Sequence, residues 1–119
     1  MTSNDLKLAQ SIASVKEQLS KEAQLLVGSQ IEQTLLTDFL GHNIGHASFY
    51  VKVANAQDVQ KLVSWAVANK ISITVRGAGT NLVGSTIPKG GLIIDVSALN
   101  RILELDEVNR TIVVEPGVL

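Results

Sequence analysis

A chain of 119 residues that is 45% hydrophobic, with a mean hydropathy of +0.25, has the material for one folded core and is not a disordered polymer. Ten basic against eleven acidic residues leave a formal charge of −1, which is neither the basic footprint of a nucleic-acid binder nor that of a protein held on an anionic membrane. The absence of cysteine removes disulfides, thiolate catalysis and cysteine-held zinc together. The opening MTSNDLKLAQ has no apolar stretch of the signal-peptide kind, and no apolar run approaches the roughly 18 residues a membrane span needs. A soluble, cytoplasmic protein with no membrane span is therefore expected.

Leu8, Ile12, Val15, Leu19, Ala23 and Leu26 recur three or four residues apart, which predicts an amphipathic helix over 4–27. Ser3 or Asn4 is placed to cap its start and Gly28 to end it. Its apolar face would cover a core or a partner. Ile31, Leu35, Leu36 and Phe39 allow a short helix, which Gly41 and Gly45 then break. His42 and His46 have the spacing of metal ligands on a helix, but the two glycines oppose a helix there and no third ligand is evident. They read as loop histidines, with no metal.

Phe49, Val51 and Val53 alternate with Tyr50 and Lys52, as a strand does. Residues 55–69 form the clearest helix, with Asn55 as N-cap, Asp58 in the capping-box position and an apolar stripe of Val59, Leu62, Val63, Ala66 and Val67. Trp65 lies beside that stripe and reads as a packing residue. Residues 71–75 alternate again and are rich in β-branched side chains. Strand, helix and strand make a βαβ unit with parallel pairing. Residues 92–96 are almost continuously apolar, as in a buried strand, and 102–106 with 111–115 flank a polar turn at 107–110, as in a hairpin. Asp95 is left open between a partner for nearby loop donors and a strand-end group bonded to backbone. The chain is thus α/β: a βαβ core with a small, mostly parallel sheet, a C-terminal hairpin and an N-terminal helix.

The segment Val75-Arg76-Gly77-Ala78-Gly79-Thr80-Asn81-Leu82-Val83-Gly84 follows a strand directly. Glycines let backbone N–H groups converge on an anion, Thr80 and Asn81 bring side-chain donors, and Arg76 brings a charge whose forked donors suit phosphate. The dinucleotide fingerprint GxGxxG fails, because its third glycine falls on Leu82 and Gly84, Pro88, Gly90 and Gly91 leave no room for the helix it requires. A P-loop fails because no Gly-Lys-Ser/Thr follows. Composition alone leaves a phosphate cradle and a plain tight turn both open. No nucleophile–base pair stands out, and Glu104, Asp106 and Glu107 read as a solvated hairpin surface.

From about Phe49 to Gly117 the chain, with "DVQKLVSWAVANKISITVRGAGTNLVGSTIPKGGLIIDVSALNRILELDEVNRTIVVEPGV" over 58–118, resembles the N-terminal part of the FAD-linked oxidase family, the vanillyl-alcohol oxidase type. The similarity is greatest to the glycolate oxidase D-subunit and D-lactate dehydrogenase flavoproteins. Helix, strand, RGxGTN loop, Gly-Gly turn, "IDVS" strand, Asn-Arg-Ile segment and closing Pro-Gly-Val occur in order. The resemblance implies the first subdomain of a vanillyl-alcohol oxidase-type FAD-binding domain over 49–119, preceded by an N-terminal helical segment over 1–48. It implies FAD as cofactor, with Gly77, Ala78, Gly79, Thr80 and Asn81 contacting the pyrophosphate and Arg76 and Gly84 shaping the loop. Thr80 stands where covalent members carry histidine, so the flavin is expected to be non-covalent. The usual proline near Val53 is absent, and Ser85 replaces a glycine. The reductase that makes UDP-N-acetylmuramate has a similar loop, but Arg76 and the 100–117 tail favour the oxidase branch.

The implied activity is oxidation of a 2-hydroxy acid such as glycolate or D-lactate. The family continues well beyond Leu119, so the chain is expected to be truncated, without turnover of its own. Surfaces that the missing portion would cover are expected to be buried in a homo-oligomer, with the N-terminal helix a candidate interface. The alternative is a non-catalytic remnant or oligomeric interaction module that keeps the fold without the flavin chemistry.

Overall fold

The computed structural model describes residues 2–119. Helix α1 spans Ser3–Gln18, with Thr2 as its N-cap. The Thr2 hydroxyl accepts from the Asp5 N–H at 3.1 Å while the Asp5 carboxylate accepts from the Thr2 N–H at 3.0 Å, a reciprocal capping box. The helix does not run to 27. Beyond Leu19 the chain turns, and Gln24–Val27 form strand β1. The Asp58 carboxylate is the cause, because it accepts both the N–H and the hydroxyl of Ser20, at 2.9 and 2.7 Å, and so fixes a turn where helix would continue. Leu19 and Ala23 still reach the core, which is why their spacing looked helical. The short helix read from Ile31 to Phe39 is replaced by two 3-10 turns, Gly28–Gln30 and Gln33–Leu35.

Strand β2 is Phe49–Lys52, helix α2 Ala56–Ala68, strand β3 Ile73–Arg76 and strand β4 Leu92–Asp95. The sheet order is β1-β2-β4-β3. β1 runs antiparallel to β2, whereas β2 and β3 each pair parallel with β4. The two strands of the βαβ unit are therefore not neighbours, as a minimal unit would have it. Its crossover leaves one place between them, and β4, buried at all four positions, fills it.

Asn55 caps α2 as read from the sequence, accepting from the Asp58 N–H at 2.9 Å. Asp58 does not complete the box, because its carboxylate takes the Ala54 N–H at 3.0 Å in addition to Ser20. Burial pushes this carboxyl up, but the bonds from Ser20 and Ala54, with the nearby charge of Lys61, outweigh that and hold it below the ordinary range. At the other end of α2, Lys70 takes a left-handed conformation (φ 55°), and the Lys70 and Ile71 N–H groups return to the Val67 and Ala66 carbonyls as a Schellman motif.

One sheet face packs Phe49, Val51, Leu92 and Ile94 against Ile12 of α1 and Leu62 and Trp65 of α2. Trp65 meets Phe49 edge to face and donates its indole N–H to Ser11 at 2.8 Å. The opposite face buries Tyr50 and Ile93 under Ile31, with Leu35 and Leu36 beside them. Strands β5, Ile102–Asp106, and β6, Thr111–Val114, form a separate antiparallel ribbon. Its apolar side chains, from Ile102 to Val114, stand between 41% and 92% exposed. Arg101 and Glu115 close its base through a salt bridge of 2.6 Å. Among the described residues no helix is long and apolar enough to cross a membrane.

Candidate functional site

β3 ends at Arg76, and the glycine loop leaves from its carboxyl end, where parallel sheets present ligand sites. The Arg76 carbonyl still accepts from the Val96 N–H, at 2.9 Å, so the loop starts from a fixed point. Gly79 and Gly84 hold φ of 71° and 76°, a region L-residues avoid. Among the described residues, none of the backbone N–H groups from Gly77 through Gly84 donates to a protein acceptor. An open groove of about 360 Å³ is lined by Gly77, Ala78, Gly79, Thr80 and Asn81, by Val75, Ser85 and Thr86, and by Pro116, Gly117, Val118 and Leu119. The groove has no titratable side chain in its wall. N–H groups without a protein acceptor, on residues that line a polar groove, are the chemistry an anion cradle requires.

Arg76 and Gly84, also read as site residues, are not in the groove wall. Arg76 is buried, with its Nη1 3.5 Å from the Thr37 carbonyl. A Cβ on residue 79 would fall 2.2 Å from Arg76 Nη2, so the guanidinium lies directly under Gly79. It supports the loop from below and does not reach into the groove as a phosphate fork. Gly84 makes the next turn, its carbonyl accepting from the Ile87 N–H at 3.1 Å.

The Asn81 side chain is committed within the loop, with one of its two amide N–H donors used. Its amide donates to the Thr86 hydroxyl at 2.9 Å, and its Oδ1 accepts from the Ser85 N–H at 3.2 Å. Asp95 makes no hydrogen bond to the loop, accepting instead from the Tyr50 hydroxyl and from the Ser97 N–H at 2.8 Å. Burial first, then the bond to Asp95 and its charge, push the Tyr50 phenol well above its ordinary value, against the opposing pull of Arg76. His42 and His46 are exposed, and no group of three or more metal-ligating side chains occurs among the described residues.

Two parts of the site escape sequence reading. Residues 36–46 buttress the loop: the Phe39 N–H donates to the Asn81 carbonyl at 3.1 Å and the Thr86 hydroxyl to the Thr37 carbonyl at 3.1 Å. Gly45 was the available signal, since a Cβ there would sit 2.1 Å from the Pro88 carbonyl oxygen. The 116–119 wall is the second part. Gly117 is wedged where a Cβ would lie 2.4 Å from the Val96 carbonyl oxygen, and its N–H donates to Leu99 at 2.7 Å.

A sequence profile of the FAD binding domain matches residues 47–119. Glycolate oxidase subunit GlcD of Bacillus subtilis is 39% identical over 66 residues, which are 55% of this chain and 14% of that protein. D-lactate dehydrogenase of Anaerostipes hadrus is 30% identical over 98 residues, 81% of this chain and 21% of that protein. The chain thus spans about a fifth or less of the length of these curated relatives. Among solved structures, 4-ethylphenol oxidase from Gulosibacter chungangensis superposes with a TM-score of 0.77 at 24% identity, over 99% of this chain and 23% of that one. At that identity the likeness speaks for the fold, which is the vanillyl-alcohol oxidase type of FAD-binding domain.

Proposed function

Since the chain belongs to the FAD binding domain family, we propose that it is the FAD-binding segment of a flavin-linked oxidoreductase acting on a 2-hydroxy acid of the glycolate or D-lactate type. The run of unpartnered N–H groups from Gly77 to Asn81, on residues that line the groove, carries this reading. In that conformation the backbone of Gly77, Ala78, Gly79, Thr80 and Asn81 faces the cofactor's pyrophosphate. Arg76 and Gly84 set the loop's shape, and Arg76 adds positive potential from beneath. The residues fit a diphosphate on physical grounds, because each charge-assisted N–H bond to a phosphate oxygen is about twice as strong as a neutral one. Bound FAD would supply the two-electron acceptor for oxidation of the hydroxy acid. This chain's share is to bind and orient the cofactor.

The substrate class rests on the names of the relatives, one a glycolate oxidase subunit and another a D-lactate dehydrogenase. Thr80, which lines the groove and has no nucleophilic nitrogen, supports a non-covalent flavin. On this reading residues 49–119 hold the cofactor while 1–48 supply cover and buttress. The exposed apolar ribbon β5–β6 supports burial against a second copy or against further polypeptide, the alternative being an interaction module without flavin chemistry. Titration of the purified chain with FAD, followed by fluorescence, tests the reading. Saturable quenching at micromolar cofactor is expected, and unchanged flavin fluorescence leaves the interaction module as the function.

A further inference from the structure

We propose that Thr86 and Asn81 are positioning residues that clasp the glycine loop shut before the cofactor arrives, a role that rests on the flavin reading of the same groove. Thr86 is buried although it belongs to a surface loop. Its hydroxyl accepts the Asn81 amide at 2.9 Å and spends its own proton on the Thr37 carbonyl at 3.1 Å. Arg76 donates to that same carbonyl at 3.5 Å. Residues 76 and 86 bracket the loop, so both of its ends are drawn to one oxygen atom. That oxygen is itself held, because the Thr37 hydroxyl donates to the Asn43 carbonyl at 2.6 Å.

Asn81, midway along, is gripped three times: its carbonyl by the Phe39 N–H, its Oδ1 by the Ser85 N–H and its amide by Thr86. The contrast with its neighbours assigns the role. The Asn81 and Thr86 side chains bond one another, while the N–H groups of residues 77–80, which line the groove, have no protein acceptor. A loop already held in this shape loses little further freedom when an anion binds, which is how preorganisation raises affinity. Asn81 therefore acts through its side chain on the loop, and Thr86 through Asn81.

Thr86→Val keeps the shape and removes the hydroxyl, stranding the Asn81 amide and the Thr37 carbonyl, whereas Thr86→Ser keeps the hydroxyl. In the full 119-residue chain, Thr86→Val is expected to weaken FAD binding about tenfold, with Thr86→Ser within about threefold of wild type. Amide hydrogen exchange without cofactor gives a second readout: the Phe39 and Ser85 N–H groups exchange faster in the valine variant and not in the serine variant. Asn81→Ala is expected to weaken FAD similarly and also to speed exchange of the Ser85 N–H without cofactor, and that second readout decides the matter if the valine variant fails to fold. Wild-type binding that neither variant weakens, or a serine variant as impaired as valine, overturns the clasp and leaves the flavin reading intact. A wild-type chain that leaves FAD fluorescence unaltered overturns the flavin reading, and the clasp's purpose with it.

Discussion

Gly79→Ala puts the geometry of the loop to a quantitative test. Residue 79 has φ 71°, which costs an L-residue roughly 1–2 kcal/mol. The new Cβ would lie 2.2 Å from Arg76 Nη2, where 3.4 Å begins ordinary contact, so the buried guanidinium must retreat by more than an ångström. Its bond to the Thr37 carbonyl is then lost, at about 1 kcal/mol. Alanine returns about 0.5 kcal/mol by stiffening the unfolded chain. The net loss is about 2 kcal/mol, or about 8 °C in melting temperature for a domain of this size. Gly77→Ala is the matched control: its Cβ would meet nothing nearer than the Pro116 carbonyl oxygen at 3.9 Å, and the change should fall within about 0.5 kcal/mol. Thermal unfolding by circular dichroism reads both. A double-mutant cycle with Arg76→Met separates the causes, since the steric share disappears without the guanidinium and the backbone share persists. Equal melting of the two alanine variants, or no coupling to Arg76, refutes the placement of the guanidinium under the loop.

Three further outcomes are expected. Lys70→Gly relieves the left-handed residue that follows α2 and should raise stability by about 1 kcal/mol in denaturant titration; a loss would mean the Schellman turn does not form. Asp58→Asn should lose about 2 kcal/mol near neutral pH, because the carboxylate binds Ser20 and Ala54 at once. The Asp58 pKa is lower folded than unfolded, so its contribution is present above about pH 4 and is lost as pH falls through the folded value; acid unfolding should be less steep in the asparagine variant. Tyr50 is the only tyrosine, so the phenolate absorbance reports it alone. Its folded pKa is raised, so its stabilisation is full below the unfolded value of about 10 and falls above it. The folded chain should show no phenolate at that pH, and its appearance there with native circular dichroism would contradict the buried bond to Asp95.

What the sequence shows plainly is what local rules govern. Asn55, the stripe through Leu62 and Ala66, and the apolar run at Leu92–Asp95 gave α2 and β4 because capping, helical periodicity and a strand buried on both faces each leave a local trace. The end of α1 did not show, because a carboxylate 38 residues away from Ser20 decides it. β4's place between β2 and β3 was hidden for the same reason: no residue of the βαβ unit states how wide its crossover is. In the site, the glycines suggest a cradle, and the N–H groups without protein acceptors support that reading. The placing of the Arg76 guanidinium beside Gly79 and the bond from the Asn81 amide to Thr86 were not legible, because composition says which groups can donate and not which have already done so. Thr37 contributes through a carbonyl, which every residue carries, so no side-chain pattern could have marked it.

The β5–β6 ribbon meets the rest of the molecule at its base, where Arg101 pairs with Glu115 and Gly117 is seated on Leu99. The residues directly after that seat are the far wall of the groove. The ribbon and the groove thus share one short stretch of chain: Glu115 closes the base of the ribbon, and Pro116 to Leu119 line the groove. One side of the groove is therefore held by bonds within its own loop, and the other by the seat of Gly117 on Leu99, directly after the ribbon.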